Sequence, residues 1–355
     1  MDPFQTDHRT VLALTAFSLA TLLAMLGVWP VLGIIGVIRI LSNLCYAIGL
    51  LREFLCRTKQ NLAEKYGKGT YALITGAAHG IGLEYARQIA KEGFNLALLD
   101  LDKVGLDIAH EIIRKETPDV RIVAVGCDLA TLRSVDQFEK ALQQVLDLDI
   151  SILVNNVGIS TSLPFEEGSP KTVSTMVHLN MTSVAVFTSL IYKKILNRVN
   201  FSSEEPNKHP KSAIISMASC AGYIPLKIAV VYSMTKAFTR FFMDSLSSET
   251  EIIDFLTVSP GFVSTRMTNH RKDASTISTD YCVSNALKAL GRFKETSIVP
   301  KITLTYGWIS QSLWYINNDL YSKHLNYALN DSESQQMGMV LAQKERERDQ
   351  NNVCK

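Results

Sequence analysis

The chain has 355 residues, 47% hydrophobic and 20% charged, which suits one large α/β domain plus an accessory segment. A formal net charge of +2, with no basic block, excludes the electrostatic footprint of a nucleic-acid partner. The six cysteines are scattered, with no CxxC pair and no metal-ligand spacing, so they read as free thiols in a reducing compartment and not as a metal site.

No charged residue occurs between Val11 and Ile38. A helix of that length, about 42 Å, exceeds the ~30 Å of bilayer hydrocarbon and is expected to anchor the chain to a membrane. Pro30 and Arg39 leave both a single tilted span and a hairpin open. Asp2, Asp7 and the length of the run argue against a cleaved signal. Arg52, Arg57, Lys59, Lys65 and Lys68 follow it, so the positive-inside rule puts the main domain in the cytosol, with the endoplasmic reticulum as the expected membrane. The expected organisation is an anchor and basic flank over residues 1–58 and an α/β domain over 66–300. A covering or membrane-leaning segment over 301–330 and a polar tail over 331–355 complete it.

From Thr70 onward, short apolar runs alternate with helical ones. Tyr71–Ile74, Asn95–Leu99, Arg121–Val125, Ile150–Val154, Ala213–Ile215 and Phe255–Val258 read as buried parallel strands. Leu83–Glu92, Asp102–Lys115 and Leu132–Leu146 read as helices between them. The alternation predicts an α/β fold: a doubly wound parallel sheet with helices on both faces, of Rossmann type.

The first strand runs into Thr75-Gly76-Ala77-Ala78-His79-Gly80-Ile81-Gly82. Gly76 suits a tight turn, and Gly80 and Gly82 let the backbone and the next helix approach a pyrophosphate at the helix N-terminus. The glycines alone fit an ordinary turn; their place between strand and helix favours the phosphate reading. The second strand leads to Asp100, placed to accept hydrogen bonds from ribose 2′- and 3′-hydroxyls and to repel a 2′-phosphate, which favours NAD over NADP. A helix N-cap is the alternative role for Asp100. His79 is the nearby group that would assist a phosphate.

Asn155-Asn156-Val157-Gly158 closes the fourth strand, where a ligand-facing loop belongs. Asn180 falls within a helix, where a buried asparagine needs a partner, and a water relayed to Lys236 is the expected one. Ser219 follows the fifth strand and would polarise a carbonyl. Tyr232 and Lys236 stand at i and i+4 on one helix face. A free phenol titrates at about 10. A nearby ammonium and a positive nicotinamide ring would lower that value, letting Tyr232 give a proton to a carbonyl or take one from an alcohol. This spacing alone also fits a solvated helix face; the groups around it favour chemistry. Pro260-Gly261 and Thr265 would hold the nicotinamide carboxamide.

Together, TGAAHGIG, Asp100, Cys127-Asp128-Leu129, NNVG, Ser219, Tyr232-Ser-Met-Thr-Lys236 and Pro260–Thr265 resemble the short-chain dehydrogenase/reductase family. The resemblance implies a catalytic tetrad of Asn180, Ser219, Tyr232 and Lys236, with substrate at Ser219 and Tyr232. It implies cofactor contacts through Gly76, His79, Gly80, Ile81, Gly82, Asp100, Asp128, Leu129, Asn155, Gly158, Tyr232, Lys236, Pro260, Gly261, Val263 and Thr265, with Asp128 at the adenine. The anchor, NNVG, Asn180–Ser183 and Ser264–Thr268 are similar to a membrane-bound branch that contains 17β-hydroxysteroid dehydrogenases types 3 and 12 and very-long-chain 3-oxoacyl-CoA reductases. That likeness implies an oxidoreductase interconverting a carbonyl and a secondary alcohol on an apolar lipid, a 3-oxoacyl-CoA or a steroid, with NAD or NADP. It leaves room for a homodimer, since dimers are common in the family. The branch usually has a serine–arginine pair after the second strand and prefers NADP(H); Asp100-Leu101 stands here, so either the cofactor preference or the substrate differs. The region Thr265–Pro300 is expected to form the mobile substrate-binding loop and helix. The competing reading from another class is a catalytically idle membrane scaffold, which would have no use for the tetrad.

Overall fold

The computed structural model describes residues 61–201, 211–223, 226–273, 275–292 and 295–298, with scattered positions between 15 and 48. Helix α1 (Leu62–Tyr66) leads into β1 (Tyr71–Thr75), α2 (Gly80–Lys91), β2 (Asn95–Asp100), α3 (Lys103–Glu116), β3 (Ile122–Gly126), α4 (Val135–Leu146) and β4 (Ile150–Asn155). After β4 come α5 (Pro170–Val177), a π-helical turn (His178–Thr182), α6 (Ser183–Phe201), β5 (Ser212–Met217), α7 (Val230–Glu249) and β6 (Ile253–Pro260). The two-residue strands β7 (Phe262–Val263) and β8 (Thr276–Ile277) pair with each other and precede α8 (Thr279–Ala289) and β9 (Glu295–Ile298).

The main sheet runs β3-β2-β1-β4-β5-β6-β9, and every neighbouring pair is parallel. These segments are strands because they carry apolar residues toward both faces. All of β4 and β5 is buried. Alternate residues serve opposite layers: Ile74, Leu98, Val154 and Ile215 pack with Tyr85 and Ile89 of α2 and with Val283 and Ala286 of α8. Leu73, Leu99, Leu153 and Ile214 pack with Phe138 and Leu142 of α4, Phe187 and Ile191 of α6, and Met243 of α7. Polar residues set the helix starts. Asp102 accepts from Gly105 N–H at 2.8 Å, Ser134 and Gln137 form a capping box, and Ser278 accepts from Tyr281 N–H at 3.1 Å.

The chain leaves β3 at one edge and returns beside β1 as β4. At this reversal the carboxyl ends of β1 and β4 flank a crevice, the place where such sheets bind ligands.

The doubly wound sheet is as the sequence predicts, with two differences. The sequence carries no signal for β9, a polar edge strand paired to β6. The α3 N-cap is Asp102, so Asp100 does not fill the capping role. Among the described residues, the one helical stretch long and apolar enough to cross a bilayer is Pro170–Arg198. It packs on the sheet through the fully buried Ile191 and Ile195 and is a core helix. Residues 1–58 form a unit of their own. Its described positions are helical, and Phe17, Ile34, Val37, Ile38, Ile40 and Leu41 are exposed. The expected segments over 301–330 and 331–355 lie outside the described residues.

Candidate active site

The two loops at the crevice are stitched together. The Thr75 hydroxyl accepts from the N–H groups of Asn156 (3.0 Å) and Val157 (3.1 Å), and Asn156 Nδ2 donates to the carbonyls of Thr75 and Gly76, both at 3.0 Å. Gly76 sits at φ +66°, and a Cβ there would lie 3.1 Å from Val157 Cα. A Cβ on Gly82 would fall 2.0 Å from Gly76 O, so only glycine lets α2 begin this close to the loop. Gly80, at φ +57°, faces the Thr265 methyl, and Ile81 packs against the core cluster behind it. His79 precedes α2 in extended conformation and makes no side-chain cap, leaving first-turn N–H groups for an anion. The cradle of bare backbone fits a dinucleotide pyrophosphate.

At the far end of the cradle, Asp100 accepts from Ala78 N–H (2.9 Å) and Asp102 N–H (3.0 Å), joining the glycine loop to the β2–α3 turn. A carboxylate has about four acceptor positions, so capacity for ribose hydroxyls remains. His79 Nε2 lies 2.7 Å from Asp102 Oδ2, and Arg266 Nη1 reaches the same oxygen at 3.8 Å. Nothing in the sequence spacing points to Arg266 here, because it arrives from the loop after β7.

Other expected contacts are placed as follows. Asp128 is exposed and accepts from Ala130 N–H at 2.9 Å; Leu129 is buried, its carbonyl accepting from Ser183 Oγ at 3.1 Å. Asn155 turns inward and donates to Thr188 Oγ1 (2.8 Å) and Ser216 Oγ (3.2 Å), so Asn156 is the residue that meets the glycine loop. Strand alternation is the reason: consecutive side chains leave the strand end on opposite sides. Pro260 ends β6, Gly261 follows it, Val263 is buried in β7, and Thr265 rests against Gly80.

The tetrad residues converge beside this crevice. A Cβ on Gly158 would lie 3.3 Å from Asn180 Oδ1 and 3.6 Å from Lys236 Nζ, which places the NNVG loop against both. Asn180 is buried in the π-helical turn, a local irregularity frequent at functional sites. Its Oδ1 accepts from Ile159 N–H (3.0 Å), and its Nδ2 donates to Ile159 O (2.9 Å) and Thr235 Oγ1 (3.1 Å). Asn180 is thus tied to protein partners on both sides of its amide. Lys236 is buried; its Nζ donates to Met217 O at 2.7 Å and lies 5.6 Å from the Tyr232 ring centroid. Ser219 is extended and accepts from Ala221 N–H at 3.2 Å.

Burial lowers Lys236 to about 8. Burial also pushes the Tyr232 phenol up to about 12, while a hydrogen bond with Ser219 pulls the other way. In the protein alone, desolvation of the phenolate is the largest influence on Tyr232, and the Lys236 ammonium is turned toward Met217; the expected lowering also calls on the nicotinamide ring. Just before Tyr232, residues Ile228 to Val231 line a pocket with Leu163, Phe165, Val173 and Met176, an apolar wall that the motifs did not reveal.

The profile of the short chain dehydrogenase family matches residues 70–276, more than half of the chain. A very-long-chain 3-oxoacyl-CoA reductase-B of Danio rerio is 30% identical over 81% of this chain and 85% of its own length. A very-long-chain 3-oxoacyl-CoA reductase of Yarrowia lipolytica is 29% identical over 77% of this chain and 73% of its own. Among solved structures, a short-chain dehydrogenase from Sphingobium yanoikuyae in complex with NADPH superposes with a TM-score of 0.57 at 25% identity, over 70% of this chain and 96% of that one. The chain thus belongs to the short chain dehydrogenase family and is an oxidoreductase of that family.

Proposed function

We propose that this chain is a membrane-bound reductase that converts the 3-oxo group of a long fatty acyl thioester to a secondary alcohol, using a nicotinamide cofactor. The observation that carries this reading is the convergence of Asn180, Ser219, Tyr232 and Lys236 beside the crevice of the glycine loop. The activities named for the Danio and Yarrowia relatives point to this substrate class, and the apolar side chains just before Tyr232 agree with it. A catalytically idle scaffold would not need a buried lysine beside a half-buried tyrosine.

The nicotinamide supplies hydride to the carbonyl carbon when bound. Ser219 and Tyr232 would donate hydrogen bonds to the carbonyl oxygen, where negative charge develops. Tyr232 then gives its proton to that oxygen, while its hydrogen bond with Ser219 opposes the burial that raises the phenol. Lys236, close to its own titration point, replenishes the proton, and Asn180 fixes the NNVG loop over both. Asp100 would receive the ribose hydroxyls, which favours NAD(H). The apolar run from Val11 to Ile38 and the exposed apolar positions in residues 1–58 support an anchor, with the endoplasmic reticulum as its membrane and the catalytic unit in the cytosol.

The test is consumption of NADH and of NADPH by the purified chain with 3-oxoacyl-CoA thioesters of increasing length, and with ketosteroids as a comparison. Faster turnover with longer acyl chains and NADH is expected. Turnover of ketosteroids alone would replace the substrate assignment, and a preference for NADPH would show that Arg266 and its neighbours override Asp100.

A further inference from the structure

Ser219 leads into one 3-10 turn, Cys220–Gly222, whose Ala221 N–H donates to the Ser219 hydroxyl at 3.2 Å. The turn lies hard against α7. A Cβ on Gly222 would fall 2.8 Å from both the carbonyl carbon and oxygen of Lys236 and 3.1 Å from Ala237 N. One helical turn beyond Lys236, Arg240 reaches back over this contact. Its guanidinium carbon lies 3.5 Å from the centroid of the Tyr223 ring, and its Nη1 donates to Gly222 O at 3.3 Å.

We propose that Arg240 is a positioning residue, which clamps the Ser219 turn onto the helix carrying Tyr232 and Lys236. The guanidinium suits this because its flat face stacks on an aromatic ring while its edge donates hydrogen bonds, two contacts that a lysine ammonium does not combine. The clamp matters because Ser219 and Tyr232 come from different elements, and the register between them is set where the turn meets α7. Ser219 opposes the burial that raises the phenol. Slack in the turn weakens that hydrogen bond and lets burial push the phenol higher. The inference rests on the catalytic reading of Ser219 and Tyr232 given above.

The test compares the full-length chain with Arg240→Met and Arg240→Lys in detergent, using 3-oxohexadecanoyl-CoA with NADH and the reverse oxidation of 3-hydroxyhexadecanoyl-CoA. Arg240→Met is expected to lower kcat by about ten- to a hundredfold, the scale for displaced catalytic groups, with KM for NADH unchanged. In the oxidation direction, which needs the phenolate, the rising limb of the pH profile moves to higher pH. Arg240→Lys recovers only part of kcat. A second readout needs no substrate: burial holds the Cys220 thiol up and slow to react, so loosening the turn speeds its alkylation by iodoacetamide, followed on its peptide by mass spectrometry. A folded Arg240→Met with unchanged kcat, pH profile and Cys220 alkylation overturns the clamp. If that variant does not fold, Tyr223→Leu removes the same stacking contact and is judged by the same readouts. If the wild type reduces no 3-oxoacyl-CoA, the function assignment fails, and the Cys220 comparison still decides the clamp.

Discussion

Tyr232 and Lys236 stand one helical turn apart, and burial drives their protons in opposite directions, the phenol to about 12 and the ammonium down to about 8. Both shifts have one cause, since a poorly solvated site penalises whichever form is charged. The lysine's share is visible in stability. Its folded value near 8 lies below the ordinary 10.5, so between these limits the unfolded chain binds more protons. Stability contributed by this group is therefore full above about 10.5 and is lost as pH falls toward 8. Urea unfolding across that window should show stability rising with pH in the wild type, and Lys236→Met should flatten the slope. An equal slope in both would mean that the ammonium is better solvated than its burial indicates.

The glycine loop shows how one element constrains another. At Gly82 a methyl group would meet Gly76 O at 2.0 Å and Asn156 Nδ2 at 2.6 Å, and backbone cannot move aside as a flexible side chain would. Gly82→Ala should push α2 off the loop and weaken NADH binding about tenfold or more, read by quenching of protein fluorescence, while the circular dichroism of the sheet and helices persists. Wild-type affinity in that variant would show that the loop does not cradle the cofactor. The strands and this loop were legible because parallel strands buried on both faces leave continuous apolar runs, and because glycine between strand and helix has few other uses. β9 was not, since Glu295-Thr296-Ser297 carries polar residues at a sheet edge. The tetrad could be read by motif, yet its supports could not. The Arg240–Tyr223 stack, Arg266 beside Asp102 and the inward turn of Asn155 arise from tertiary proximity and strand alternation, which local spacing does not encode. The desolvation of the phenol escaped for the same reason, because it is a property of the packed molecule.

For the molecule as a whole, residues 1–58 and 59–355 are separate units, and the second begins with a firm attachment of α1. Lys65 Nζ pairs with Asp254 Oδ2 at 2.8 Å and donates to Gly291 O at 3.0 Å, while Tyr66 Oη donates to the same carboxylate at 2.8 Å. One cation of the basic flank is thus part of the catalytic unit's own structure. The full chain should stay with membranes through alkaline carbonate extraction, whereas residues 59–355 alone should be released; retention of the shorter chain would assign the anchor to another segment. The most direct test of the central claim is single-turnover reduction of 3-oxohexadecanoyl-CoA by wild type and Tyr232→Phe, with NADH affinity measured on both. The expected result is a loss of about 10²–10⁴ in rate, the usual contribution of a positioned proton donor, at unchanged NADH affinity. Equal rates in the two proteins would contradict the account, since the proton would then reach the substrate without Tyr232.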